Sequence, residues 1–250
     1  MAPNVHVFET VAELAAAAAA RAADCIRSAV AARGGARVVV ATGNSQIAFI
    51  ETLTALPGIP WPATDVFHMD EYAGLPAAHP ASFRRWIRER VAERVRARNV
   101  HYINGEASDL ALECRRYSDL LLEGPLDLAF VGIGENGHIA FNDPHEARFD
   151  DHATVKVVTL DEACRRQQTG EGHFASVDDV PGQALSMTCP ALIRPRHLVC
   201  CVPDRRKAAA VAAAVEGPLT EACPASLLRT HADAHIYLDR ESASLLQHRK

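Results

Sequence analysis

The stretch LDLAFVGIGENGH, residues 126–138, decides the fold. Its first nine residues are nearly all apolar, which suits a strand buried on both faces, and its glycines then turn the chain into a polar loop. Strands of that kind lie inside sheets covered by helices on both sides.

Outward from this stretch the same pattern repeats. RVVVAT (37–42) and TDVFHMD (64–70) read as strands before it, and ATVKVVTL (153–160), HLVCCVP (197–203) and AHIYLD (234–239) as strands after it. Helices are expected between them. The first runs up to Arg33, opened by Thr10 and Glu13 at capping-box spacing and stopped by Gly34-Gly35. Others are expected over 47–56, over the amphipathic stretch 82–95, and over 107–124, 204–217 and 223–231. Strands alternating with helices of this length imply right-handed βαβ units. The expected fold is α/β: three layers around a doubly wound, largely parallel, Rossmann-like sheet. No repeat or shift in composition marks a boundary, so one domain is expected over 1–250.

Bulk properties exclude some classes of function. A net charge of −5 argues against a nucleic-acid partner, since phosphate backbones select basic surfaces. The N-terminus has no signal-peptide pattern, and Arg21, Asp24 and Arg27 interrupt the Ala-rich run, so no membrane partner is expected. Seven cysteines without repeated spacing fit reduced thiols in the cytoplasm. Cys200 and Cys201, in an apolar run, read as small buried hydrophobes.

In open α/β sheets, ligands bind beyond the carboxyl ends of the strands. Three polar clusters fall at such ends. Thr42-Gly43-Asn44-Ser45 joins a strand to a helix, where exposed amides, two hydroxyls and the helix N-terminus suit a phosphate monoester. The loop lacks the glycine spacing of a Walker or dinucleotide motif, and by itself it also reads as a plain turn. Lys207 and Arg165 are cations that could close on the same phosphate, or simply solvated charges. Asp70-Glu71 ends a strand, so one carboxylate should face the cleft and its neighbour turn away; otherwise the pair is a helix cap or surface acid. His138 sits in a glycine-rich loop with Asn136 and Asp143 near enough in sequence to fix its tautomer.

The segments ATGNS, VFHMDEYAGLPAAHPASFRRW, GIGENGHIAFNDP and CRRQQ…VPGQALSMT…RKAAAVAAAVEG…PASLLRTH resemble, in the same order, the glucosamine-6-phosphate deaminase family. The resemblance covers residue 37 to the end. It implies a cofactor-free isomerisation with loss of ammonia, taking an amino-sugar phosphate, glucosamine 6-phosphate, to fructose 6-phosphate. By that resemblance Asp70 moves the proton between C2 and C1, and His138 assists ring opening with Asn136 and Asp143 beside it. Thr42, Gly43, Asn44, Ser45 and Lys207 inherit the phosphate, Arg165 helps hold the substrate, and Glu71 and Gly137 belong to the binding set.

Three positions depart from the family pattern. Asn136 stands where the well-known form has aspartate, Asp143 replaces a glutamate, and the phosphate loop reads TGNSQ instead of TGSTP. An amide at 136 cannot balance an imidazolium with charge. HEARFDDH (145–152) also lacks the serine pair of allosteric members, so no activation by N-acetylglucosamine 6-phosphate is expected. The chain length is compatible with a monomer or a homo-oligomer.

Four rival readings were weighed. A 6-phosphogluconolactonase would use the histidine to activate water, and a deaminase for another amino-sugar phosphate would keep the same chemistry. A sugar-phosphate sensor would need a DNA-binding segment that the sequence lacks. A metal hydrolase would need His68, Asp70, His138, Asp143 and His145 to converge, in a spacing that matches no defined ligand pattern.

Overall fold

The computed structural model describes residues 4–170, 172 and 174–247. The strands of the main sheet are β1 (Asn4–Phe8), β2 (Ala36–Val40), β3 (Thr64–His68), β5 (Asn99–His101), β6 (Leu128–Val131), β9 (His197–Val202) and β10 (Ala234–Asp239). They lie in the order β1-β10-β9-β6-β2-β3-β5, and every pairing is parallel. From β2 the chain winds outward through β3 to β5. It then returns as β6 on the other flank of β2 and winds the opposite way. The reversal makes the crevice between β2 and β6 the topological switch point.

Side chains alternate across this sheet, as a period of two requires. Val38 and Val40, Leu128 and Phe130, and Val199 and Cys201 pack on the face covered by α1 (Val11–Arg33) and α2 (Ile47–Ala55). Val39, Ala129 and Val131, with Leu198, Cys200 and Val202, pack on the other face. That second face is covered by α4 (Leu110–Leu122) and α7 (Ala208–Glu216). The adjacent cysteines Cys200 and Cys201 are thus both buried, on opposite sides of the sheet. The expected capping box opens α1, and Gly34, in the left-handed region at φ 72°, closes it.

Several sequence expectations need correction. TDVFHMD is not one strand. β3 stops at His68, Met69 steps out of the sheet, and β4 (Asp70–Tyr72) begins a second, antiparallel sheet. ATVKVVTL forms β7 (Val155–Thr159) in that second sheet, and β8 (Gln183–Met187), in a segment not read as a strand, runs between them in the order β4-β8-β7. β1 and β5 were also not anticipated. The amphipathic segment 82–95 is a short α3 (Phe83–Ile87) that loosens into a π-helical turn over Arg88–Ala92. Residues 224–230 form a 3-10 helix. The small elements α5 (Glu162–Gly170) and α6 (Cys189–Leu192) flank the second sheet in sequence.

Candidate active site

A cavity of about 550 Å³ opens at the carboxyl ends of the main-sheet strands, within the ~300–1,000 Å³ range of small-molecule sites. The three polar clusters meet there. Thr42, Gly43, Asn44 and Ser45 line it after β2, Asp70 at the step from β3 to β4, and His138 after β6; Lys207 lines it between β9 and α7.

The loop after β2 has the geometry of an anion cradle. Gly43 has φ 98°, a conformation that favours glycine, and the chain then tightens into a 3-10 turn that leads into α2. Gln46, fully buried, donates from Nε2 to Ser45 Oγ (3.1 Å) and to the Cys201 carbonyl (3.0 Å). The Ser45 oxygen is thereby used as an acceptor, so its own proton is turned to donation, as an incoming oxyanion needs. Across the cavity, Lys207 is 8% exposed. It follows a turn in which Asp204 has φ 89° and its carboxylate accepts from the Arg206 amide (3.0 Å).

Asp70 and Glu71 take opposite directions, as alternation along a strand requires. Asp70 lines the cavity, is 6% exposed, and its buried Oδ1 has no hydrogen-bond partner among the described residues. Burial first, and the neighbouring Glu71 charge second, raise its pKa well above the usual carboxylate value. Glu71 is buried behind the wall. It accepts from the amides of Tyr72 (2.9 Å), Phe83 (3.1 Å) and Arg84 (2.8 Å), from Ser82 Oγ (2.9 Å) and from Arg84 Nε (3.2 Å). Those bonds anchor the loop to α3, and Glu71 does not line the cavity, so its assignment to substrate binding is not supported by its position.

His68 sets the backbone at Asp70. Ile103 N–H donates to its Nε2 (2.9 Å), so the ring proton is on Nδ1, which donates to the Asp70 carbonyl (2.8 Å). Burial lowers its pKa to about 4, so the ring is neutral under ordinary conditions. With both nitrogens engaged, His68 cannot serve in the metal arrangement weighed above, and His145 is occupied at Thr159 O (2.8 Å) and Asp161 (3.2 Å).

His138 lies over Gly134 in the loop after β6. A Cβ on residue 134 would come within 2.2–2.4 Å of the imidazole, so only glycine leaves room for it. His138 Nδ1 is 3.1 Å from Asp143 Oδ1. Burial alone would raise the Asp143 pKa. The bond and charge of His138, with the Asn136 amide, outweigh burial and hold it at about 2. Asp143 is therefore ionised and Nδ1 is the donor, which leaves Nε2 as the nitrogen for the cavity. Asn136 does not reach the ring. Its Nδ2 donates to Asp143 Oδ1 (2.7 Å) and its Oδ1 accepts the His138 amide (3.0 Å). Gly137, at φ 85°, packs on Cys223 behind the loop. Asn136, Gly137 and Asp143 support the imidazole without lining the cavity.

Asp70 and the segment after His138 are both tied to β8. Asp70 pairs with Ser186 across the antiparallel ladder. In the chain just after His138, Phe141 N–H donates to Ser186 Oγ (3.1 Å) and Asn142 Nδ2 to the Met187 carbonyl (2.8 Å).

Arg165 departs from expectation. Its guanidinium donates to the carbonyls of Val180 (3.1 Å) and Val177 (2.6 Å), and it does not line the cavity. The residues that α5 delivers to the cavity are Gln167 and Gln168. Helical spacing could have found Gln168, because Cys164 and Gln168 are four apart and both buried, while Arg165 is one step off that face.

Known proteins resemble this chain in sequence and fold. Residues 9–237 match the family described as glucosamine-6-phosphate isomerases/6-phosphogluconolactonase. A glucosamine-6-phosphate deaminase of Streptococcus equi subsp. equi is 33% identical over 215 residues, 86% of this chain and 89% of that one. One from Listeria monocytogenes serotype 4a is 36% identical over 179 residues, 72% of this chain and 74% of that one. Among solved structures, a monomeric glucosamine-6-phosphate deaminase superposes with a TM-score of 0.89 at 33% identity, covering 97% of this chain and 99% of that chain. A 6-phosphogluconolactonase from Shewanella baltica superposes at 0.76 with 17% identity over 95% of this chain and 97% of that one, a likeness of fold alone. With the family matched over most of its length and deaminase relatives at this identity, the chain belongs to the glucosamine-6-phosphate isomerase and 6-phosphogluconolactonase family.

Proposed function

We propose that the protein converts D-glucosamine 6-phosphate and water into D-fructose 6-phosphate and ammonia, by acid–base chemistry supplied by its own side chains. The observation that carries this reading is the shared cavity: Asp70 and His138 line the same space as Thr42, Gly43, Asn44, Ser45 and Lys207.

The cradle and Lys207 hold the phosphate. His138 Nε2 takes the proton of the anomeric hydroxyl and returns one to the ring oxygen, which opens the pyranose to the aldehyde. The Asp70 carboxylate then removes the C2 proton. The C–H electron pair forms the C1=C2 bond, O1 gains a proton, and an enolamine results. Asp70, now a carboxylic acid, gives its proton to C1, and the nitrogen loses one to leave a C2 imine. Water adds to the imine and ammonia departs, leaving the ketone. The raised pKa of Asp70 supports this double role, because a group that both takes and returns a proton works best with a pKa near the operating pH.

Asp143 keeps the imidazole oriented and balances its charge during ring opening, a role in which the amide of Asn136 serves as a brace. The seven unpaired, buried cysteines support a reducing compartment such as the cytoplasm. The deciding experiment measures ammonia released from glucosamine 6-phosphate, with acid released from 6-phosphogluconolactone as the comparison. Acid release without ammonia would replace this reading with the lactonase one.

A further inference from the structure

Gln168 is more than nine-tenths buried and lines the cavity, yet only one end of its carboxamide is used. The hydroxyl of Tyr72, a residue only 1% exposed, donates to Gln168 Oε1 (2.7 Å). Nε2 donates to no described residue, and it is not among the fully buried unpartnered atoms. That leaves it as the end of the carboxamide available to the cavity that Gln168 lines. Tyr72 itself is fixed by the ring of Phe141 at 5.1 Å and by the place of β4 beside β8. With the Tyr72 hydroxyl donating to Oε1, the N–H2 group is the other end of the carboxamide.

From this geometry we infer that Gln168, locked by Tyr72, is a substrate-orienting residue. It presents N–H donors to an oxygen of the sugar chain. The inference rests on the proposed deaminase reading and names the contact that aligns the substrate. The ligand chemistry follows from the donor set. A neutral amide whose acceptor is occupied recognises a hydroxyl or carbonyl oxygen, whereas the phosphate already meets the cradle and Lys207. The position also explains how the site manages with Arg165 committed to backbone carbonyls.

The test compares wild type with Gln168→Leu, which keeps the volume and removes the donors, and with Tyr72→Phe, which removes the lock. Two quantities are read: KM for glucosamine 6-phosphate, and inhibition of ammonia release by inorganic phosphate. Gln168→Leu should raise KM about tenfold, the scale of a hydrogen bond lost from a buried site, and leave the phosphate inhibition constant within about twofold. Tyr72→Phe should raise KM about threefold by the same route, and Gln168→Asn should recover little because its amide falls short. An unchanged KM in Gln168→Leu overturns the inference, as does a parallel rise in the phosphate constant, which would move Gln168 into the phosphate subsite. Tyr72→Phe matching wild type would overturn the lock. If Gln168→Leu does not fold, Gln168→Met carries the same comparison. No ammonia from wild type would instead defeat the reaction assignment.

Discussion

Replacing Asp143 with asparagine isolates the charge behind His138 from the geometry around it. Both bonds that matter fall on one oxygen: Oδ1 accepts from Asn136 Nδ2 at 2.7 Å and meets His138 Nδ1 at 3.1 Å. An asparagine Oδ1 can accept both, so the ring should keep its orientation. The amide nitrogen would take the place of Oδ2, which has no hydrogen-bond partner within normal distance among the described residues, with the Cys164 thiol beside the carboxylate. A buried N–H2 group without an acceptor costs about 1–3 kcal/mol of stability, so assays belong well below the melting temperature. The surroundings lower the Asp143 pKa from 3.8 to about 2, which corresponds to about 2 kcal/mol favouring the carboxylate. If His138 passes through its imidazolium form, that stabilisation is what the variant loses. Ammonia release from glucosamine 6-phosphate should then fall roughly 30-fold in kcat/KM. The same shift has a pH signature. A lowered folded-state pKa contributes stability that is complete above the unfolded value and is lost as the pH falls from 3.8 toward 2. The wild type should show this loss and Asp143→Asn should not. A variant within twofold of wild-type kcat/KM would refute the argument that Asp143 acts by charge.

Four further outcomes follow from the same contacts. Asp70→Asn should abolish exchange of the C2 hydrogen with solvent while substrate still binds, and undiminished exchange would remove Asp70 from the chemistry. Gly134→Ala puts a methyl group 2.2–2.4 Å from the imidazole, so the ring must rotate off Asp143. A loss of about 100-fold in kcat/KM, the scale of general acid–base catalysis, is expected, and full activity would contradict the packing. His68 titrates at about 4 in the folded chain against 6.5 in its absence. Its contribution is intact above pH 6.5 and declines by about 3 kcal/mol on acidification to pH 4; urea unfolding at pH 7, 5.5 and 4 reads it, and constant stability would be inconsistent. Arg165→Ala should lower the melting temperature but leave KM within about twofold, and a large rise in KM would return Arg165 to the site.

The inner strands of the main sheet were legible because they are buried on both faces and therefore written as largely apolar runs, such as LAFV and HLVCCV. The loops at their ends were legible for the same reason, since polarity there contrasts with the strand before it. What sequence reading missed is what tertiary pairing decides. V-F-H-M-D is continuous in hydropathy, and nothing in it announces that Met69 leaves one sheet and Asp70 joins another. β5, with three residues, is too short for a period to register. The segment around β8 looked like a connection because QALSM mixes polar and apolar residues while four of the five are buried. Arg165 stood out by its charge and by the family resemblance, whereas Gln168 is marked in the sequence only by sharing the buried face of Cys164.

The shared mount on β8 has a consequence for how the enzyme measures its substrate. Asp70 and the segment after His138 are both fastened to Ser186 and Met187, so the small sheet carries base and imidazole as one block. The anion cradle belongs to the large sheet. On the proposed reading, the span from the Thr42–Ser45 loop to Asp70 and His138 acts as a ruler for the sugar. Substitutions in the wedge between the sheets should shift which sugar length is accepted before they disturb the chemistry itself.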